Sequence, residues 1–255
     1  MKETMSFSPR VGLCLAAVGL ATITTSARAI EYTYTGETGG GLSMNIQTAD
    51  GDMNALVGQL IMTTSAPGWQ SPLDTYCTDV GADLARTYNY NPYAFTDPQA
   101  TGVNPKWISG GIQNAATIWY AYSASAGADA TGVQEAGLQL AIWEALYNNK
   151  GTYTSSSFFS SSNGGFYIRS FDGGEIAAAA GDAATWLNSL GSLPSAPNGD
   201  WLAPVNGDGV ICGSQGLLYP IAPPTQQVPE ANSTLMLLGA ALTTLGLAGR
   251  KLRSK

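Results

Sequence analysis

The sequence predicts an α+β protein: an antiparallel β-sandwich or barrel-like domain spanning residues 30–221, with a helical subdomain inserted at about 111–190. Two observations predict this core. Short alternating or β-branched runs fill its beginning and end, whereas apolar residues at helical spacing fill its middle. The order is therefore β, then α, then β, which favours an antiparallel sheet with inserted helices over alternating βαβ units. A third observation concerns the ends. An apolar run at each terminus predicts an N-terminal signal peptide and a C-terminal transmembrane helix.

The strands come first. Glu31–Thr35 is β-prone and is followed by Gly39-Gly40-Gly41. Leu42–Thr48 and Ala55–Thr64 alternate or run apolar around the turn Asp50-Gly51-Asp52. Thr75–Val80 is another strand, and 87–110, rich in Tyr, Asn, Pro and Gly, reads as a long loop. Helices are predicted over 111–124, 132–148 and Glu175–Leu190, the last ending near Gly191 with Pro194 beyond. A Ser/Gly-rich loop at Thr154–Gly165 separates the second helix from the third, and Gly209–Ile221 returns to strand character. Residues 222–227 read as a linker. No internal repeat stands out.

The ends read as targeting segments. Lys2 and Arg10 precede the short apolar run Val11–Ala21, and Ala27-Arg28-Ala29 offers small residues for a signal peptidase. Cleavage after Ala29 is expected. At the other end stand Val228, Pro229 and Glu230, then 19 uncharged residues from Ala231 to Gly249, then Arg250, Lys251, Arg253 and Lys255. Such a stretch is long enough to cross a bilayer as a helix, with its basic end inside. These ordered features, residues 228–255, resemble the PEP-CTERM sorting tail of Gram-negative bacteria, with Ala231 where a second proline is usual. The resemblance implies an exosortase-type sorting enzyme as a partner. It also implies transient anchoring in the inner membrane by 231–249, then release to the cell surface or outside.

Composition excludes several function classes. There is no histidine, so a Ser-His-Asp triad, a Cys-His dyad and an imidazole-ligated zinc site are ruled out. The net charge is −7, and residues 30–228 hold 16 acids against 4 bases. Nucleic acid is not an expected partner of such a surface. No metal, cofactor or catalytic residue is expected, and turnover catalysis is not the reading.

One constellation points to chemistry. In Leu138-Gln139-Leu140-Ala141-Ile142-Trp143, Gln139 lies within an apolar arc roughly 200° wide, flanked by Ala136, Leu140, Trp143 and Tyr147 on one side and Leu138, Ile142 and Leu146 on the other. Glu144 falls outside that arc. A buried carboxamide without partners costs about 1–3 kcal/mol, so its burial asks for an explanation. Backbone hydrogen bonds are one. A covalent bond is another: a cysteine sulfur can displace ammonia from the carboxamide and leave a thioester, given a lowered thiol pKa or a neighbouring base.

After signal removal the cysteines are Cys77 and Cys212, in an oxidising compartment. Tyr76-Cys77 in a strand, with the Gln139 helix motif following it in the chain, resembles the Cys-Gln thioester domains of bacterial surface adhesins. The likeness would cover about 40–220. It implies a thioester between Cys77 and Gln139 that acylates a surface amine or hydroxyl. The alternatives are a Cys77–Cys212 disulfide, which in the chain-entropy model stabilises by up to about 4–5 kcal/mol, and a free buried thiol. With the disulfide, the protein would be a non-covalent structural or polysaccharide-binding matrix component. Trp69 and Trp107, in loop-like segments, are the candidates for stacking on sugar rings. Asp79 and Asp83 read as a polar turn or an acid–base pair.

Overall fold

The computed structural model describes residues 29–37, 40–48, 51–80, 87–94, 106–123, 131–148, 151–161, 165–169, 174–196, 200–205 and 216–219. The strands are β1 (Ile30–Glu37), β2 (Leu42–Thr48), β3 (Gly51–Val57), β4 (Leu60–Thr63), β5 (Leu73–Cys77), β6 (Thr87–Ala94), β7 (Phe166–Ile168), β8 (Asp200–Val205) and β9 (Leu217–Tyr219). The helices are α1 (Gly111–Tyr122), α2 (Gly132–Tyr147) and α3 (Gly174–Ser189), with short 3-10 turns at Ser155–Phe159 and Leu190–Ser192. The fold is α+β, and every strand pairing is antiparallel.

Six strands close a barrel in the order β1-β4-β5-β9-β8-β6, and β3-β2-β7 form a separate three-stranded sheet. The run predicted as one strand at Ala55–Thr64 is in fact two. The chain leaves the small sheet at Val57 and enters the barrel at Leu60. Glycines permit the crossing: a Cβ on Gly58 would stand 3.0 Å from the Cα of Gly41, itself at φ 53°.

Two strands correct the sequence reading. Thr87–Ala94, expected as part of a loop over 87–110, is β6, and it lies between β1 and β8. Its Pro92 lies beyond the pairing with β1, which begins at Ile30 opposite Tyr90, so among the described residues no ladder partner on that side needs the missing N–H. Asp200–Val205, which carries no strand signal of its own because of Pro204 and its brevity, is β8.

The helices lie within a residue or two of their predicted bounds. A capping box starts α2: the Thr131 hydroxyl accepts from the Gln134 N–H at 3.4 Å, and the Gln134 carboxamide accepts from the Thr131 N–H at 3.1 Å. Helix α2 packs between α1 and α3 and against β2, β3 and β5, so it is buried on every side from Glu135 to Tyr147. Burial extends to Glu144, which falls outside the apolar arc. It is 0% exposed, and its carboxylate accepts a 2.9 Å hydrogen bond from the Asn148 side chain.

Among the described residues no helix is long and apolar enough to cross a membrane. The predicted signal up to Arg28, the linker 222–227, the sorting motif Val228, Pro229 and Glu230, the span 231–249 and the basic residues Arg250, Lys251, Arg253 and Lys255 lie outside the described residues.

Close approach of α2 and α3 depends on Gly137, where a Cβ would meet the Ala179 carbonyl oxygen at 3.0 Å and the Asp182 Cβ at 3.1 Å. Gly137→Val forces the helices apart and is expected to destabilise the fold by about 1–3 kcal/mol. Denaturant unfolding measures this, and an unchanged midpoint would contradict the packing described.

Candidate functional site

The site begins where β5 outruns β4. The pairing of β4 with β5 stops at Leu60 opposite Thr75, because the chain turns away at Gly58–Gln59. Peptide groups alternate sides along a strand, so those of Thr75 and Cys77 point the same way. The other edge of β5 stays paired: Tyr76 and Cys77 lie opposite Leu218 and Leu217 of β9, and the Thr78 N–H donates to the Gly216 carbonyl at 2.8 Å. The main chain of Cys77 thus faces a position with no strand to fill it.

The Gln139 side chain fills that position. The Cys77 N–H donates to Gln139 Oε1 at 2.9 Å, and Gln139 Nε2 donates to the Cys77 carbonyl at 2.8 Å. An N–H must meet an oxygen and a carbonyl must meet the NH2, so this pair of bonds fixes the orientation of the carboxamide. Gln139 is 1% exposed and Cys77 6%, and the Cys77 thiol is free. The two bonds give each polar atom of the carboxamide a partner, which answers the question its burial raised. The partner they select is the main chain of a cysteine.

The surroundings are acidic. Burial, then the nearby carboxylates of Asp79 and Glu37, push the Cys77 thiol well above its ordinary range. Tyr34 donates to Glu37 at 2.6 Å, and its phenol is pushed up to about 12, first by burial and then by that carboxylate. On the other side Tyr147 of α2 donates to Asp79 Oδ1 at 3.5 Å, and Asp79 Oδ2 accepts from the Gly216 N–H at 3.0 Å and from the Thr78 hydroxyl at 3.4 Å. Trp201 Nε1 in turn donates to Thr78 Oγ1 at 3.2 Å.

One turn before Gln139 stands Glu135, 0% exposed. Burial pushes its carboxyl up to about 7, a backbone contact at Gln59 offsets part of this, and Asp74 and Glu37 add to it. No sequence pattern marked Glu135 or Tyr147 as neighbours of the cysteine. The capping box and the spacing of Glu135 and Gln139, which puts them on adjoining turns of one face, are the signals available in the sequence.

Chemically, the arrangement brings a carboxamide onto the main chain of a cysteine, with the carboxamide oxygen held by that residue's N–H. The same Cys77 N–H can hold Oε1 as an oxyanion when the carbon becomes tetrahedral. Among the described residues no group of three or more Cys, Asp or Glu side chains is disposed to hold a metal ion.

The remaining candidates separate. Trp107 is not in an open loop. It is 9% exposed and packs edge-on to Trp201 at 5.3 Å between ring centroids, so its ring serves the core. Trp69 is half-buried beside the core. Cys212 and Asp83 lie outside the described residues. In comparisons with protein-family models, curated proteins and solved structures, nothing matches this chain.

Glu135 carries a pH prediction. Its pKa is raised in the fold, so the native state binds more protons than the unfolded chain between the ordinary value of 4.5 and about 7. Its contribution to stability is complete below the lower value and is lost as pH rises through the upper one. The groups facing it are Tyr76 and Asp74 on β5 and Glu37 on β1. Glu135→Gln is expected to raise the melting temperature at pH 8 and to flatten its fall between pH 4.5 and pH 7. A melting series that falls identically in both proteins would contradict this.

Proposed function

We propose that this chain is an exported surface protein that attaches covalently through an internal thioester between Cys77 and Gln139. The observation that carries the reading is the pair of 2.9 and 2.8 Å bonds by which the Gln139 carboxamide docks on the Cys77 main chain. Attack of Sγ on the carboxamide carbon forms the S–C bond, and breaking of the C–N bond releases ammonia. Burial of both residues keeps water from the product. A surface amine or hydroxyl that reaches the carbon is then acylated, and the thiol of Cys77 is released. Each molecule reacts once, which makes the protein a covalent adhesin rather than an enzyme.

Export is the second half of the reading and rests on the sequence of the two ends. The chain is carried out by the signal 1–29, held in the inner membrane by 231–249, and processed near Val228-Pro229-Glu230 by an exosortase-type enzyme. A covalent adhesin of the cell surface or biofilm matrix fits that destination.

Intact mass of the freshly purified protein is expected to fall short of the sequence mass by one ammonia. Methylamine is expected to label Gln139 and free the Cys77 thiol, and Cys77→Ala or Gln139→Ala is expected to abolish both effects. A peptide joining Cys77 to Cys212 through a disulfide, with no ammonia lost, would instead leave a non-covalent matrix component.

For export, the secreted chain is expected to begin at Ile30. Neutralising Arg250, Lys251, Arg253 and Lys255 together is expected to disturb membrane orientation or tail processing. N-terminal sequencing and fractionation check both, and unchanged sorting of the neutralised variant would count against the tail.

A further inference from the structure

Resting on the thioester reading, we propose that Asp79 is the proton acceptor for Cys77 during bond formation and the proton donor to the departing ammonia. Geometry carries this. Cys77 and Asp79 are two residues apart, and the Thr78 N–H still pairs with Gly216 as a strand residue would. Side chains at i and i+2 of an extended chain project to one face. Tyr147 of α2 meets Asp79 on that face, while Gln139 of the same helix docks on the main chain of Cys77 at the strand edge.

The carboxylate is also built in. One oxygen is held by the Gly216 N–H and the Thr78 hydroxyl, and the other by the Tyr147 hydroxyl. Trp201 orients the Thr78 hydroxyl from behind. Gly216 has no room for a side chain: a Cβ would fall 2.5 Å from both Thr78 Oγ1 and Trp201 Nε1. Asp79 itself stays half-exposed, so water can reach it.

The chemistry requires such a group. A thiol becomes nucleophilic either through a depressed pKa or through an adjacent base. Burial and acidic neighbours act against the first at Cys77. The proton must therefore leave as the sulfur attacks. In the forward direction Asp79 takes the Sγ proton while the S–C bond forms at the Gln139 carbon. The resulting carboxylic acid then gives that proton to Nε2 as the C–N bond breaks, and ammonia departs. Atoms and charge balance with no other reactant. Glu37 is the other carboxylate near the thiol, but it lies on a different strand, β1, and accepts a 2.6 Å bond from Tyr34, whereas the bond from Tyr147 to Asp79 Oδ1 is 3.5 Å long.

The test follows ammonia loss by intact mass after pulsed synthesis of the full chain, for wild type, Asp79→Asn and Asp79→Ala. A positioned base contributes about 10²–10⁴-fold, so Asp79→Asn is expected to form the bond at least about 100-fold more slowly. Asp79→Ala is expected to recover with added formate in proportion to its concentration. Should Asp79→Asn fold poorly, formate rescue of the alanine variant decides the matter, because a merely structural aspartate is not replaced by a free anion. Ammonia loss at the wild-type rate in Asp79→Asn, or absence of rescue, would overturn the role of Asp79 and leave the thioester standing. Absence of ammonia loss in the wild type would remove both.

Discussion

The structure turns on one short-range constraint: on the β4 side the end of β5 has no strand beside it among the described residues, and the Gln139 side chain takes that place. Leaving the N–H and carbonyl of Cys77 buried and unbonded would cost about 1–3 kcal/mol for each group, and the same holds for the carboxamide. Pairing them removes both penalties together. It also ties the helical subdomain to the barrel at a defined point. Rotation of α2 by one residue, about 100°, would break both bonds. The helix is held against such rotation by its Thr131–Gln134 capping box and by burial along its whole length from Glu135.

Burial of this joint determines its electrostatics. Asp79 and Glu37 border the thiol, each hydrogen-bonded by a tyrosine from a different element. Glu135 adds a third carboxyl one turn from Gln139. Charge is disfavoured in such a place, and like charges disfavour it further. The thiol therefore stays protonated, and a proton must be moved for any chemistry at its sulfur. A reactive cysteine is ordinarily recognised by electropositive surroundings. Here the reactivity assigned to the site depends instead on the position of a carboxamide carbon.

Much of the local structure was legible. The three helices follow from apolar spacing and lie within a residue or two of the predicted bounds, because a helix makes its hydrogen bonds within its own segment. Leu42–Thr48 follows from its alternation, and the strand containing Cys77 from its β-prone residues. Gln139 was recognisable as a polar residue among apolar ones. What misled was the assumption that a helix keeps one face in water. Glu144 falls outside the apolar arc of α2, yet it is buried, because α1 and α3 pack on this helix as well.

The chain by itself determined which segments are helical, that one carboxamide would be buried, and that a cysteine in a strand precedes it. Tertiary structure decided the rest. Thr87–Ala94 and Asp200–Val205 are strands because each closes the other's ladder across more than a hundred residues, and no local pattern encodes such a partner. Trp107 is core rather than surface because Trp201, brought in by β8, packs against it. Cys77 meets Gln139 because β4 starts at Leu60 and stops short of the end of β5. Residues 62 positions apart are joined by the register of a third strand, and a register exists only once the strands have paired.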